Sequence, residues 1–184
     1  MGKKGADTRC RLIAGARSLL EARGYFGTGL NQILETSSAP RGSLYFHFPG
    51  GKDQLVAEAI EQAGAEIAGI IATAEADDAR GYLELLVDML GERLEASGWT
   101  KGCPIAGVTL DASATNDTVQ QACSAAYASW EAALRERLTA YGHPEPERLA
   151  TTALALLEGG LVLSRAHRDR TPLRRVASTI ETLV

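Results

Sequence analysis

An all-α fold is predicted by three observations. Alanine and leucine dominate a composition that is 45% hydrophobic but only 5% aromatic. Runs of β-branched residues are absent. Apolar residues recur three and four positions apart along most of the 184-residue chain, the spacing of one helix face. With 23% charged residues the composition is that of an ordinary globular protein, and the length suits a small domain joined to a larger one.

The first helix is expected over residues 8–23 from Leu12, Ile13, Ala16, Leu19 and Leu20, with Asp7 as N-cap and Gly24 as the stop. Thr28 can cap a short second helix holding Leu30, Ile33 and Leu34, which "TSSA" interrupts. A third helix starts near Pro40, a residue suited to the first helical position, and ends by Pro49-Gly50-Gly51. A long fourth helix follows from Lys52 to about Ala74. Residues 80–96 are amphipathic through Leu83, Leu86, Val87, Leu90 and Leu94, and Gly98 closes them. "GWTKGCPIAGVTLDAS" leads into a short helix; Asn116 or Asp117 then caps one that runs to Tyr141. Residues 145–168 carry "ALALLEGGLVL", apolar on nearly all sides, and Thr171-Pro172 opens a last helix.

Charge divides the chain unevenly. Residues 1–52 hold eight Lys or Arg against three acidic residues; the remainder holds eleven against twenty. A basic head on an acidic body points to a polyanion met by the head alone. No run of eighteen uncharged apolar residues suggests a membrane span, and no apolar stretch follows the basic start as in a signal peptide. Cys10, Cys103 and Cys123 form neither a disulfide framework nor a zinc spacing. A cytoplasmic protein without metal or cofactor is expected. G-x-S-x-G, H-E-x-x-H and the phosphate loop are all missing, and His47, His143 and His167 are scattered, so an enzyme is not expected.

The stretch "SSAPRGSLYFHFPGGK", residues 37–52, carries the chemistry. Two short helices separated by a tight turn are the parts of a helix-turn-helix. Leu30, Ile33, Leu44 and Phe48 are placed to pack the pair onto the first helix, leaving Arg41, Ser43 and Tyr45 near the outer N-terminal part of the third, which would enter a major groove. Arg41 has the fork that matches guanine O6/N7. Gly42 lets backbone approach closely, and Ser43 can bond a base edge or a phosphate. Tyr45, His47, Thr28 and Lys52 are types that contact phosphates and set position. The rival reading makes the aromatics plain core of a helical bundle, an interaction module without DNA.

The spacing from Thr28 to Lys52, with "GSLYFHFP" at its centre, resembles the TetR family of transcriptional repressors. The likeness covers residues 6–66, with 29–48 as the motif. It implies DNA contact from Thr28, Arg41, Gly42, Ser43, Tyr45, Phe46, His47 and Lys52, with a palindromic double-stranded operator as partner. Two positions depart from the family pattern: Ser38 stands where the turn usually has Gly, and an extra residue falls in Pro49-Gly50-Gly51. That extra glycine, "KGCPIAGVTLDAS" and "LLEGGLVLSRAHRDRTPLRR" resemble the LmrA/YxaF-like branch, which implies that residues 67–184 bind a small-molecule inducer and form a homodimer.

Candidate inducer-lining residues are Trp99, Cys103, Ile105, Leu110, Tyr127, Trp130 and Leu157, each of which would serve equally as ordinary core. Candidate dimer residues are Leu156, Gly159, Gly160, Val162 and Leu163 on the apolar helix, with Leu173, Val176 and Ile180 on the last one. These stripes serve either the chain's own core or a four-helix bundle with a symmetry mate; the resemblance implies the bundle. Cys103, with Lys101 near it in sequence, or Cys123 would be the sensor if the regulator answered to redox state instead.

Overall fold

The computed structural model describes residues 3–183, with the side chains of Lys3, Lys4 and Glu181 outside that description. The described residues form α1 (Lys3–Arg23), α2 (Leu30–Thr36), α3 (Ser43–His47), α4 (Gly51–Thr73), α5 (Ala79–Ala96), α6 (Ala106–Ala112), α7 (Asp117–Ala140), α8 (Pro146–His167) and α9 (Thr171–Ile180), then a 3-10 turn (Glu181–Leu183). They include no strand. Two compact units result: residues 1–64 with 104–126, and residues 65–103 with 127–184. The sequence reading puts its boundary after residue 66. However, α6 and the start of α7, which the sequence reading assigns to the second domain, belong to the first unit.

In the first unit Leu12, Ile13, Ala16 and Leu20 of α1 are buried, as are Ile33, Leu44, Phe48, Leu55, Val56 and Ile60. Gly15 permits the tight crossing of α1 and α2: a Cβ there would lie 3.3 Å from the Ser37 Cβ. Three local expectations are corrected. Asp7 lies inside α1, paired at 3.4 Å with Arg11 one turn on, and does not cap the helix. Thr28 does not cap α2 either; it is fully buried and its Oγ1 donates to the Gly24 carbonyl at 2.7 Å. The cap is Gly29, whose amide donates to the Gln32 side chain at 3.0 Å. Pro40 does not start α3; its carbonyl accepts from the Ser43 amide at 2.9 Å, so residues 40–43 form a turn and the helix begins at Ser43.

In the second unit Tyr82, Leu83, Leu86 and Leu94 of α5, Trp130, Leu134 and Leu138 of α7, and Leu149, Ala153, Leu157 and Leu161 of α8 are buried. Helix α5 is capped by Asp78, whose carboxylate accepts from the Gly81 amide at 2.8 Å. Helix α8 reaches a mean hydropathy of 1.3, enough by length and composition to cross a membrane. Part of that apolar surface, 39% of the apolar window, is nonetheless buried, and α9 lies along it. The buried Ser164 hydroxyl accepts from the Leu173 amide at 3.2 Å, satisfying an orphan donor of the first turn of α9. Gly160, Leu173 and Ile180 therefore belong to the chain's own core and not to a surface between copies. Leu173 and Ile180 are each 1% exposed, and a Cβ on Gly160 would come within 3.0 Å of Leu173.

Candidate nucleic-acid interface

The left-handed position in the turn between α2 and α3 is not a glycine. Ser38 takes the left-handed backbone conformation, φ +49°, that a glycine would adopt freely. Two interactions hold it there. Ser37, buried, donates its hydroxyl to the Ile33 carbonyl at 2.7 Å. Arg11 reaches across from α1 and donates to the carbonyls of Ser37 and Ser38 at 2.9 and 3.1 Å. The guanidinium is thus a clamp on the turn, a role the sequence reading missed.

Helix α3 is split cleanly by its packing. Leu44 and Phe48 are 1% and 0% exposed; Tyr45 and Phe46, between them, are 62% and 73% exposed. The aromatics are therefore not all core, as a plain bundle would have them. Arg41 and Gly42 are exposed at the entry to the helix. Gly42 has an ordinary helical φ of −71° and open space where a Cβ would stand, so nothing in the chain itself requires glycine there. Ser43 donates its hydroxyl to the Pro40 carbonyl at 2.6 Å, which leaves its oxygen as an acceptor only. His47 is half-buried, its ring 4.9 Å from that of Phe46 in an edge-to-face contact.

Two expected contact residues are otherwise engaged. Thr28 is enclosed, as described above. Lys52 donates its ammonium to the Tyr25 carbonyl at 2.7 Å and sits 3.9 Å from the centre of the Tyr25 ring. Burial lowers the Lys52 pKa, and the nearby carboxylates of Asp53 and Asp111 work against that shift.

Tyr25 is the centre of a clasp that only the structure reveals. Its hydroxyl donates to Asp53 at the start of α4, and its amide donates to Asp111 of α6 at 2.9 Å. Burial, with the Asp53 carboxylate beside the ring oxygen, pushes the Tyr25 hydroxyl up to about 12. The loop leading into the helix-turn-helix is thereby tied to α6. Charge is rearranged too: the first unit as a whole holds eight basic and eight acidic residues, so the excess of positive charge is confined to residues 1–52. Lys3 and Lys4, part of that excess, lie outside the described side chains.

Of the candidate inducer-lining residues, Ile105, Trp130 and Leu157 are buried, and Trp99, Cys103 and Tyr127 are half-buried. Tyr127 and Trp130 pack edge to face at 5.2 Å. Leu110 is 84% exposed on the outer side of α6 and is withdrawn from the set. Glu158, unnoticed in "ALALLEGGLVL", is the one ionisable side chain in that run. Burial raises its pKa, opposed by a hydrogen bond with Cys103, and its Oε2 is buried with no hydrogen-bond partner. Cys123 loses its place as a redox sensor: it is 1% exposed and burial raises its thiol pKa. Cys103 keeps partial access.

Of the candidate dimer residues, Val162 and Leu163 are 56% and 52% exposed, Gly159 is exposed, and Leu156 and Val176 are half-buried. Leu156, Leu163 and Val176 line a groove on α8 and α9 that also takes in Pro172 and Thr179.

Comparison with known proteins bears on both units. Residues 12–59 match the family model of the bacterial regulatory proteins, tetR family, and residues 81–179 match that of the transcriptional regulator LmrA/YxaF-like C-terminal domain. The chain is 35% identical to the HTH-type transcriptional regulator LmrA of Bacillus subtilis, covering 97% of each chain. It is 32% identical to the uncharacterized HTH-type regulator YxaF of the same organism, over 97% of this chain and 95% of that one. A crystal structure of a TetR transcriptional regulator from Chloroflexus aurantiacus shares 26% identity at a TM-score of 0.81, covering 98% of this chain and 96% of the other. With the exposed face of α3 and the clamped turn that presents it, these matches make the chain a DNA-binding, helix-turn-helix transcriptional regulator that belongs to the TetR family, in its LmrA/YxaF-like branch.

Proposed function

We propose that the protein is a dimeric repressor whose hold on a palindromic operator is released by a small molecule bound in its second unit. Arg41, Gly42 and Tyr45 present the reading face, and the outward residues of α8 and α9 supply an isologous contact that sets two heads about 34 Å apart, one helical turn of DNA. Inducer contact falls to Trp99, Cys103, Tyr127, Trp130 and Leu157. The observation that carries the reading is the outward face of α3, where Tyr45 and Phe46 are exposed while Leu44 and Phe48 are buried; within the first unit the Asp111–Tyr25 hydrogen bond joins α6 to the loop that sets the helix-turn-helix. A ligand that moves α6 changes the free energy of the clasp, and by reciprocity operator binding must weaken ligand binding.

The test is a titration of the full chain against the intergenic DNA beside its own gene, at two salt concentrations with excess competitor DNA. Saturable binding that weakens steeply with salt and is lost in Arg41→Ala is expected. A compound collection is then screened for release. Compounds that release the wild type and release Asp111→Ala poorly support coupling through α6. Equal release of both refutes that route, and a ligand affinity untouched by added operator refutes the linkage altogether.

A further inference from the structure

Phe46 has no role in folding that the structure reveals. It is 73% exposed, whereas Leu44 on the five-residue α3 and Phe48 at its C-cap, two positions to either side, are 1% and 0% exposed. Leaving a phenyl ring in water forfeits the stabilisation that burial would bring. The ring is nonetheless held: His47 packs against it edge to face at 4.9 Å, which limits its rotation and lowers the entropy lost on docking. It shares the outward side of the reading helix with Tyr45, at 62% exposure, and follows Arg41 and Gly42 at the entrance.

The chemistry of a phenyl ring narrows what it can read. It has neither a donor nor a strong acceptor, so pressed against most base edges it would strip water from polar atoms and return nothing. One major-groove edge carries an apolar group: the C5-methyl of thymine. We propose that Phe46 is a specificity-determining residue that reads a thymine methyl in each operator half-site. The inference rests on the family's DNA binding and on the outward face of α3, and adds the base preference at one position. Arg41 and Phe46 then form a mixed reader, a guanidinium for a guanine edge and a phenyl ring for a thymine methyl nearby.

The experiment begins with selection of bound duplexes from a random pool by the full chain. In the enriched duplex each thymine is replaced singly by deoxyuridine, which lacks the methyl and keeps every hydrogen-bonding group. Affinities are measured by fluorescence anisotropy for the wild type and for Phe46→Ala and Phe46→Leu, after thermal melts confirm that all three fold alike. The wild type should lose about fourfold at one thymine per half-site, the value of one methyl-sized group removed from water. Phe46→Ala should bind the thymine and uracil duplexes equally, and Phe46→Leu should keep part of the difference. A flat uracil scan in the wild type overturns the proposal, as does undiminished discrimination in Phe46→Ala; both leave operator binding standing. A pool that yields no enriched sequence overturns this proposal and operator reading together.

Discussion

Ser38→Gly should stabilise the protein. Ser38 sits at φ +49°, and a side chain in the left-handed region costs about 1–2 kcal/mol relative to glycine. Glycine gives back roughly 0.5–1 kcal/mol through the greater freedom of its unfolded chain. Ser38 is exposed, and Arg11 bonds its backbone carbonyl, which the substitution keeps. The net gain is then about 0.5–1 kcal/mol by the same two terms. In urea, with a slope of roughly 2 kcal/mol per molar, the midpoint should rise by about 0.3–0.5 M at unchanged slope. Protein concentration must be held fixed, since self-association adds a stability of its own. Ser38→Ala is the control: it removes the hydroxyl but keeps the strained backbone, so it should stay within about 0.5 kcal/mol of the wild type. Equal midpoints for the two variants would refute the reasoning, because relief of the strain at φ +49° would then not exceed what glycine loses through its freer unfolded chain. Operator affinity should be unchanged by either, the turn being held from α1 through main-chain atoms.

Lys52→Gln should cost about 1 kcal/mol of stability through the lost contacts with Tyr25, and should leave the slope of log affinity against log salt unchanged. A slope shallower by about one would return Lys52 to a phosphate. Glu158→Gln should make stability less sensitive to pH. The folded-state pKa of Glu158 is raised, so its stabilising protonated form is fully present below the ordinary carboxylate range and is lost as pH rises through the folded value. The variant should therefore gain on the wild type in urea melts as pH goes from 5 to 8, and a pH-independent difference would contradict the burial argument. Leu163→Arg, at a position 52% exposed, should leave the monomer folded but weaken self-association at least about tenfold by setting like charges across a two-fold axis. Unchanged sedimentation would remove this face from the dimer.

What the sequence makes legible follows from how far each signal reaches. Helix order was readable because apolar spacing and punctuation are local: Gly24 and Gly98 both take positive φ at the breaks where they were expected. The fate of a single polar side chain was less so. Thr28 has the chemistry of an N-cap, but the same hydroxyl bonds the Gly24 carbonyl four residues back, and only the packing of that loop chooses between them. The clasp and the clamp were out of reach, since Asp111 and Tyr25 stand 86 residues apart and Arg11 and Ser37 stand 26 apart. Glu158 does leave a trace, as an ionisable residue in an apolar run.

The apolar surplus of the last two helices illustrates the remaining gap. A helix apolar almost all round, followed by one with a single apolar stripe, carries more apolar surface than the pair can bury between themselves. That excess is countable from residues 145–183 alone. Which residues carry it is not, because a stripe looks the same whether it meets the chain's own neighbour or a second copy. Here the stripe of α9 turns inward, with Leu173 and Ile180 closed against the core. The excess therefore falls on the exposed part of α8, where Val162 and Leu163 remain more than half exposed. Substitutions at Leu173 or Ile180 should consequently unfold the second unit before they touch any dimer, and those at Val162 or Leu163 should do the reverse.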